Sequence, residues 1–142
     1  IELSGDVQTT ADGRIETNAF LQIPRHPAVF VAGDAAALRK DGDIVRRAVN
    51  FAHFSGRRAG ANAAAFVTGR RLRTFTPSDL GWVIPLGSTS VGVIMGGIPV
   101  GGTLGLRLHY LMNGYRHFGG GRAGAFYRTA VNLRRQPEPL DE

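Results

Sequence analysis

The chain has 142 residues, enough for one domain with a real core, and a net charge of +6 that rests on sixteen arginines and one lysine against eleven carboxylates. That balance favours an anionic partner: nucleic acid, anionic lipid or an anionic small molecule. Cysteine is absent, which excludes disulfide scaffolds, thiolate metal sites and redox dithiols, and His26, His53, His109 and His117 lack metal-ligand spacing with nearby carboxylates.

The chain opens on Ile1 without a basic-then-apolar leader, so it is expected to be part of a longer polypeptide. Asp12-Gly13, between two strand-like arms in "DVQTTADGRIET", is a strong hairpin signal. "NAFLQIPRHP" reads as an extended connector with two prolines. The apolar run Val29–Ala32 then predicts a fully buried strand that stops at Gly33 and Asp34. Strand ends on open α/β sheets are where ligands bind, and a glycine there permits close backbone approach. Asp34 has two readings, a carboxylate accepting hydrogen bonds from sugar-like hydroxyls or an acid that begins a turn.

"AAALRKDGD" reads as a polar loop, with Asp43 as N-cap of a helix from Ile44 to about Thr68 that Gly69 closes. Ala48, Ala52, Ala59 and Ala63, with Gly56 and Gly60 nearby, form a small-residue face suited to close packing. Arg46, Asn50, His53 and Arg57 form a second arc, read as a solvated face. The helix start would offer its N–H groups and positive dipole end to an electron-rich ligand edge.

After the basic stretch "GRRLRTFTPSDLG", Leu80–Leu106 runs 27 residues without a charge. Length alone admits a membrane span, but eight glycines and two prolines argue against one. "WVIPL" and "TSVGVIM" are read instead as strands joined around Gly87-Ser88, with Gly96-Gly97 turning into "IPVGG". Thr103 can cap a helix to about Phe118, with an apolar stripe of Leu104, Leu108, Leu111, Tyr115 and Phe118 and a polar arc of His109, Asn113 and Arg116. "GGGRAG", Gly119–Gly124, satisfies G-x-G-x-x-G but follows a helix and meets only tail acids, so it reads as a connector. "RAGAFYRTAVNLRR" reads as a second short amphipathic helix, and residues 136–142 as a disordered tail.

These segments carry a family resemblance. "LQIPRHPAVFVAGDAA" resembles the second flavin-binding segment of the two-dinucleotide-domain flavoproteins, among them most closely the type II NADH dehydrogenases. "SGRRAGANAAAFVTG", "DLGWVIPLGSTSVGVIMGG" and "LGLRLHYLMNGYRHFG" are similar to that family's post-motif helix, C-terminal strand region and membrane-seating helix. The resemblance implies that Asp34, after Gly33, binds the ribityl chain of FAD and that the N–H groups of about Val49 and Asn50 face the flavin edge. It implies an acceptor side at Asn50, His53 and Phe54. The family's Ala-Gln-x-Ala-x-Gln pattern becomes "VNFAHF" here, so Asn50 and Phe54 stand where glutamines would. Arg107, Tyr110, Leu111, Tyr115, Arg116 and Phe118, with Arg122, Tyr127 and Arg128 beyond, would face an anionic bilayer.

The expected fold is thus an α+β fragment of an α/β flavoprotein. Residues 1–69 would close an FAD-binding Rossmann-like domain, 70–102 would form a linker and antiparallel strands, and 103–135 membrane-docking amphipathic helices. The expected function is electron transfer from NAD(P)H through FAD to a quinone or similar acceptor, on the inner, cytoplasmic face of the cell membrane. An upstream portion of the same polypeptide would hold the pyrophosphate and nicotinamide sites, no catalytic residue is assigned here, and the fragment alone is expected to be inactive and to bind FAD weakly or not at all. The alternative is a non-enzymatic basic module for anionic membrane surfaces or nucleic acid; the first reading expects no nucleic acid, since the interleaved aromatic-basic strands of RNA readers are missing.

Overall fold

The computed structural model describes residues 7–117, with side chains as far as Asn113. The expectations for Gly119–Gly124, for a second helix beyond it and for the tail lie outside those residues. The chain divides into two compact units, Ile1–Asp79 and Leu80–Glu142.

In the first unit the Asp12-Gly13 turn forms as the sequence implies. Gly13 takes φ +80°, and Thr10 N–H donates to Arg14 O at 2.8 Å. The arms pair at the bridge Thr9↔Ile15, where Glu16 N–H also donates to Gln8 O at 2.9 Å. Ile15 then continues beside Ala36, its N–H donating to Ala35 O while Ala37 N–H donates to Ile15 O, both at 2.8 Å. The hairpin is thereby stitched to the segment that carries Asp34.

Residues 18–27 are more ordered than an extended connector. β1 (Gln22–Ile23) pairs antiparallel with β2 (His26–Phe30) through a turn that puts Arg25 at φ +70°. The expectation of a fully buried strand is corrected: Val29 is 43% exposed. The apolar run was read as covered on both faces, but β1 is the one strand that pairs with β2 among the described residues.

A second correction concerns 35–44. The supposed polar loop begins with Ala36, Ala37 and Leu38, all buried, and continues into a hairpin of β3 (Arg39–Lys40) and β4 (Asp43–Ile44). Asp41 and Gly42 both have positive φ, +53° and +94°, the signature of a type I′ turn. Val45 N–H extends the pairing to Leu38 O at 2.9 Å. Asp43 is therefore committed to a strand and cannot cap the helix. That helix, α1 (Val49–Val67), starts five residues later than expected, from Ala48 at the N-cap. Its end follows the sequence: Gly69 has φ +64°, Arg70 N–H reaches Ala65 O and Gly69 N–H reaches Phe66 O, the paired bonds of a Schellman motif.

Leu21, Ala36, Leu38, Phe51 and Ala59 form the core of this unit, flanked by Phe30, Val31, Val45 and Phe75. The arginines of the second arc, Arg46 and Arg57, are exposed as expected, although Arg46 lies before the helix and pairs with Asp79 at 2.7 Å; Asn50 departs from that face and is only 3% exposed. Of the small-residue face, Ala52 and Ala59 pack closely, whereas a Cβ added at Gly56 or Gly60 would meet nothing within 4 Å. Residues 70–79, a strap without regular structure, belong to this unit. Phe75 N–H donates to Ala19 O at 2.8 Å, and Asn62 holds Arg73 from both sides of its peptide.

Among the described residues the second unit is a three-stranded antiparallel meander covered by one helix, as its alternation and glycine turns imply. β5 (Gly81–Leu86), β6 (Thr89–Ile94) and β7 (Ile98–Gly101) pair in order. Gly87, at φ +60°, supplies the first central position of a two-residue turn. One face of the sheet carries Trp82, Ile84 and Val91, all substantially exposed. The other receives α2 (Gly102–His117), and here the expected stripe is displaced. Leu104 is 62% exposed, while Gly105 and Leu106 are buried. A Cβ at Gly105 would overlap Ser90 Oγ, so the helix approaches the sheet on its glycine side. His109, expected on the outward polar arc, instead turns to the sheet, with Nδ1 2.9 Å from Val83 O and Nε2 2.9 Å from Asn113 Nδ2. None of the helices among the described residues is long and apolar enough to cross a membrane.

Candidate functional site

The strand-end motif folds into a single 3-10 turn, Gly33–Ala35, immediately after β2, closed by Ala36 N–H donating to Gly33 O at 3.1 Å. Gly33 is required there twice over. Its φ is +66°, a region costly to other L-residues, and an added Cβ would stand 3.3 Å from Ala52 Cβ. The turn is therefore pressed against the second turn of α1.

One side chain locks this arrangement. Ser55, with 0% exposure, accepts a hydrogen bond from Gly33 N–H at 2.9 Å and donates to Phe51 O at 2.6 Å. Sequence reasoning passed over Ser55. The available signal was a hydroxyl inside the small-residue face one helical turn from Ala52, where a backbone donor could be met.

Asp34 stands in this turn, exposed to solvent. Its carboxylate makes no hydrogen bond or ion pair among the described residues, so it does not act as the acid that closes the turn. Three other carboxylates of the unit are engaged, Asp12 with Arg14 and Arg47, Glu16 with Arg39 and Asp79 with Arg46, whereas Asp41 and Asp43, on the β3–β4 hairpin, form no side-chain hydrogen bond or ion pair among the described residues. Close by, α1 begins without a side-chain cap and without an acid in its first turn. Val49 is exposed at this start, and the buried Asn50 sends its Nδ2 to Ser78 O at 3.3 Å. Backbone donors with no local side chain to answer them, and a carboxylate with no cation, thus lie on two elements that pack together.

The expected acceptor side separates. His53 and Phe54 meet edge to face, ring centroids 5.3 Å apart, and Phe54 is 44% exposed on an opening it shares with Arg57, Thr74 and Phe75. The Asn50 amide instead belongs to the anchoring of the strap. In the second unit Arg107 is exposed, while Tyr110 and Leu111 are half-buried and Tyr110 stacks edgewise on His109, centroids 5.4 Å apart. Tyr115 and Arg116 lie on α2 beyond the last described side chain, and Phe118 lies outside the described residues. No cluster of His, Asp or Glu suited to a metal occurs among the described residues.

Hydrogen bonds from the Arg14 guanidinium and the Thr10 hydroxyl, aided by the charges of Arg14 and Arg47, hold Asp12 well below the usual carboxylate range. That network stabilises the first hairpin and is remote in role from the strand-end turn. No family model matches the chain.

Proposed function

We propose that this chain is the C-terminal part of an FAD-dependent NAD(P)H oxidoreductase of the type II NADH dehydrogenase kind, with Ile1–Asp79 contributing one wall of the flavin site. The observation that carries the reading is the unpartnered, exposed Asp34, set by Gly33 and Ser55 against the uncapped start of α1.

Those residues fit the group. Asp34 would accept hydrogen bonds from ribityl hydroxyls, an acceptor-only role that suits a carboxylate with no cation beside it. The N–H groups of Val49 and Asn50, at the positive end of the α1 dipole, would face the flavin's electron-rich edge. FAD, when bound, supplies the hydride and electron-transfer chemistry. The chain's own residues orient it: Gly33 admits close approach, Ser55 fixes the turn and Ala52 keeps the helix near. Phe54 and His53, in contact with one another, would form part of the surface met by a quinone-class acceptor.

Two further features suit a fragment of a larger α/β flavoprotein. The outer side of β2 and the bare surface at Gly56 and Gly60 offer places for other parts of a Rossmann-like domain to pack. The exposed Leu104 and Arg107 on α2 suit peripheral contact with an anionic bilayer on the cytoplasmic side.

The test uses the full product of the gene that encodes this chain. It should purify with bound flavin and reduce a short-chain quinone with NADH or NADPH. Asp34→Ala should lower flavin occupancy at least about tenfold, the scale of a charge-assisted hydrogen bond, without loss of helical content. A colourless full-length protein, or undiminished flavin in Asp34→Ala, refutes the proposal.

A further inference from the structure

The first unit carries a second concentration of unanswered groups. The C-terminal half of α1, the strap and the β1 approach surround an open cavity of about 1000 Å³, lined by Phe20, Gln22, Arg58, Arg70, Arg71, Leu72, Arg73 and Thr74. Four of these are arginines, and no acidic residue lines the cavity among the described residues.

An arginine-rich chain places guanidiniums everywhere, so their number alone says little. Pairing and position together discriminate: Arg57 and Arg107 also lack a carboxylate partner among the described residues, but neither lines this cavity. Arg14 and Arg47 meet Asp12, Arg39 meets Glu16 and Arg46 meets Asp79. Arg58, Arg70, Arg71 and Arg73 have no carboxylate partner among the described residues. Like charges gathered around one cavity repel one another, and an anion placed among them relieves that repulsion.

The frame around them is built rather than incidental. Asn62, 2% exposed, donates through Nδ2 to Phe20 O at 2.9 Å and to Arg73 O at 2.8 Å, and its Oδ1 accepts from Arg73 N–H at 2.9 Å. One buried amide therefore ties two lining segments, at Phe20 and Arg73, to the helix that carries Arg58. The Schellman end of α1, with Arg70 N–H bonded to Ala65 O at 2.7 Å, fixes where the strap departs.

We propose that this cavity binds a phosphate or diphosphate group, with Arg58, Arg70, Arg71 and Arg73 as its ligands and Phe20 and Leu72 as an apolar wall for the moiety that bears it. Planar guanidinium forks recognise phosphate oxygens two at a time, and the cavity is large enough for an organic phosphate. The same chemistry could come from a soluble phosphate ester or from a phosphate headgroup at a membrane surface. The inference does not depend on the flavin reading, which uses other residues.

Calorimetric titration of the 142-residue chain with inorganic pyrophosphate at low salt tests it. Saturable binding is expected, weakened about tenfold or more by Arg71→Gln or Arg73→Gln. Arg47→Gln, which removes the same charge outside the cavity, should weaken it less than about twofold. A parallel arm measures binding to phosphatidylcholine vesicles containing phosphatidic acid. Vesicle binding that pyrophosphate competes away and Arg71→Gln weakens assigns the site to a headgroup; pyrophosphate binding without vesicle binding assigns it to a soluble phosphate. Absence of saturable pyrophosphate binding, or equal losses in Arg47→Gln and Arg71→Gln, overturns the proposal.

Discussion

Replacing Ser55 by alanine tests whether the strand-end turn is held to α1 by one hydroxyl. The substitution removes the acceptor for Gly33 N–H, 2.9 Å away, at a position with no exposure for a replacing water. Losing that bond and leaving the donor unmet costs about 1–2 kcal/mol. Two effects oppose the loss. Alanine is the better helix former by roughly 0.5 kcal/mol, and the hydroxyl's bond to Phe51 O only duplicates an acceptor already used by the helix. The net expectation is about 1 kcal/mol of global destabilisation, roughly fivefold in the unfolding constant, read from urea denaturation. The local effect is larger, because the helix-propensity gain does not protect the turn. Hydrogen exchange at the Gly33 amide should quicken about tenfold or more beyond the global change. Ala59→Gly serves as the control: it weakens the helix by roughly 1 kcal/mol without touching Gly33, so Gly33 exchange should follow global stability alone. If Gly33 exchange in Ser55→Ala merely tracks global stability as it does in the control, the reasoning fails.

Asn62→Ala removes three hydrogen bonds and strands two carbonyls and an N–H, so it should destabilise the first unit by roughly 2–4 kcal/mol and speed tryptic cleavage after Arg70, Arg71 and Arg73; an unchanged cleavage rate would show that the strap is held by something else. The Asp12 network predicts a pH signature of definite sign. The folded-state pKa lies below the ordinary aspartate value of 3.8, so the contribution is complete above that value, erodes as pH falls below it and is lost as pH descends through the lower folded pKa. Asp12→Asn should abolish that part of the acid sensitivity of the first hairpin, measured by amide shifts of Thr10 and Arg14, and leave behaviour above pH 5 flat.

What the sequence made legible follows from how far each signal is local. The meander β5–β7 could be read because period-2 alternation marks its strands and the turn residues Gly87-Ser88 and Gly96-Gly97 lie directly between them. Asp12-Gly13 and Asp41-Gly42 are the same dipeptide in different turns, with positive φ at Gly13 alone in the first and at both residues in the second, and only the first is marked by its flanking arms. The arms of the second are two residues each and largely charged, Arg39-Lys40 and Asp43-Ile44, so no alternation marks them. The late start of α1 follows from that omission, since a hairpin at 39–44 consumes the supposed N-cap. Burial of Val29 was not legible, because an apolar run reports what a strand tolerates rather than how many neighbours cover it. On α2 the leucine periodicity misplaced Leu104, which is exposed, while Leu108 and Leu111 are half-buried; the closest approach to the sheet is announced by Gly105, a residue whose message is distance of approach. At the strand-end turn, Gly33 and Asp34 were legible and Ser55 was not, since its partner lies 22 residues away.

A last step concerns why Asp34 and the start of α1 coexist without satisfying each other. An acid or hydroxyl at an N-cap stabilises a helix by about 1 kcal/mol, and an acid in the first turn adds a few tenths. α1 has neither: it begins on Ala48 and carries Val49-Asn50-Phe51 in its first turn. The acid nearest in the fold's logic, Asp34, sits on a turn pinned to Ala52 and Ser55, yet its carboxylate stays in solvent. Folding stability alone would favour closing that gap, and a single serine or aspartate at position 48 would do so. Local rules are broken in this way where a site must keep its donors and acceptors free for a third party. The prediction that separates function from accident is therefore Ala48→Ser or Ala48→Asp. Either should raise stability by about 0.5–1 kcal/mol in denaturant, and Ala48→Asp should at the same time weaken flavin retention in the full-length protein, by placing a charge against the dipole end that the flavin edge would use. A gain in stability with undiminished flavin would leave the bare helix start without a role.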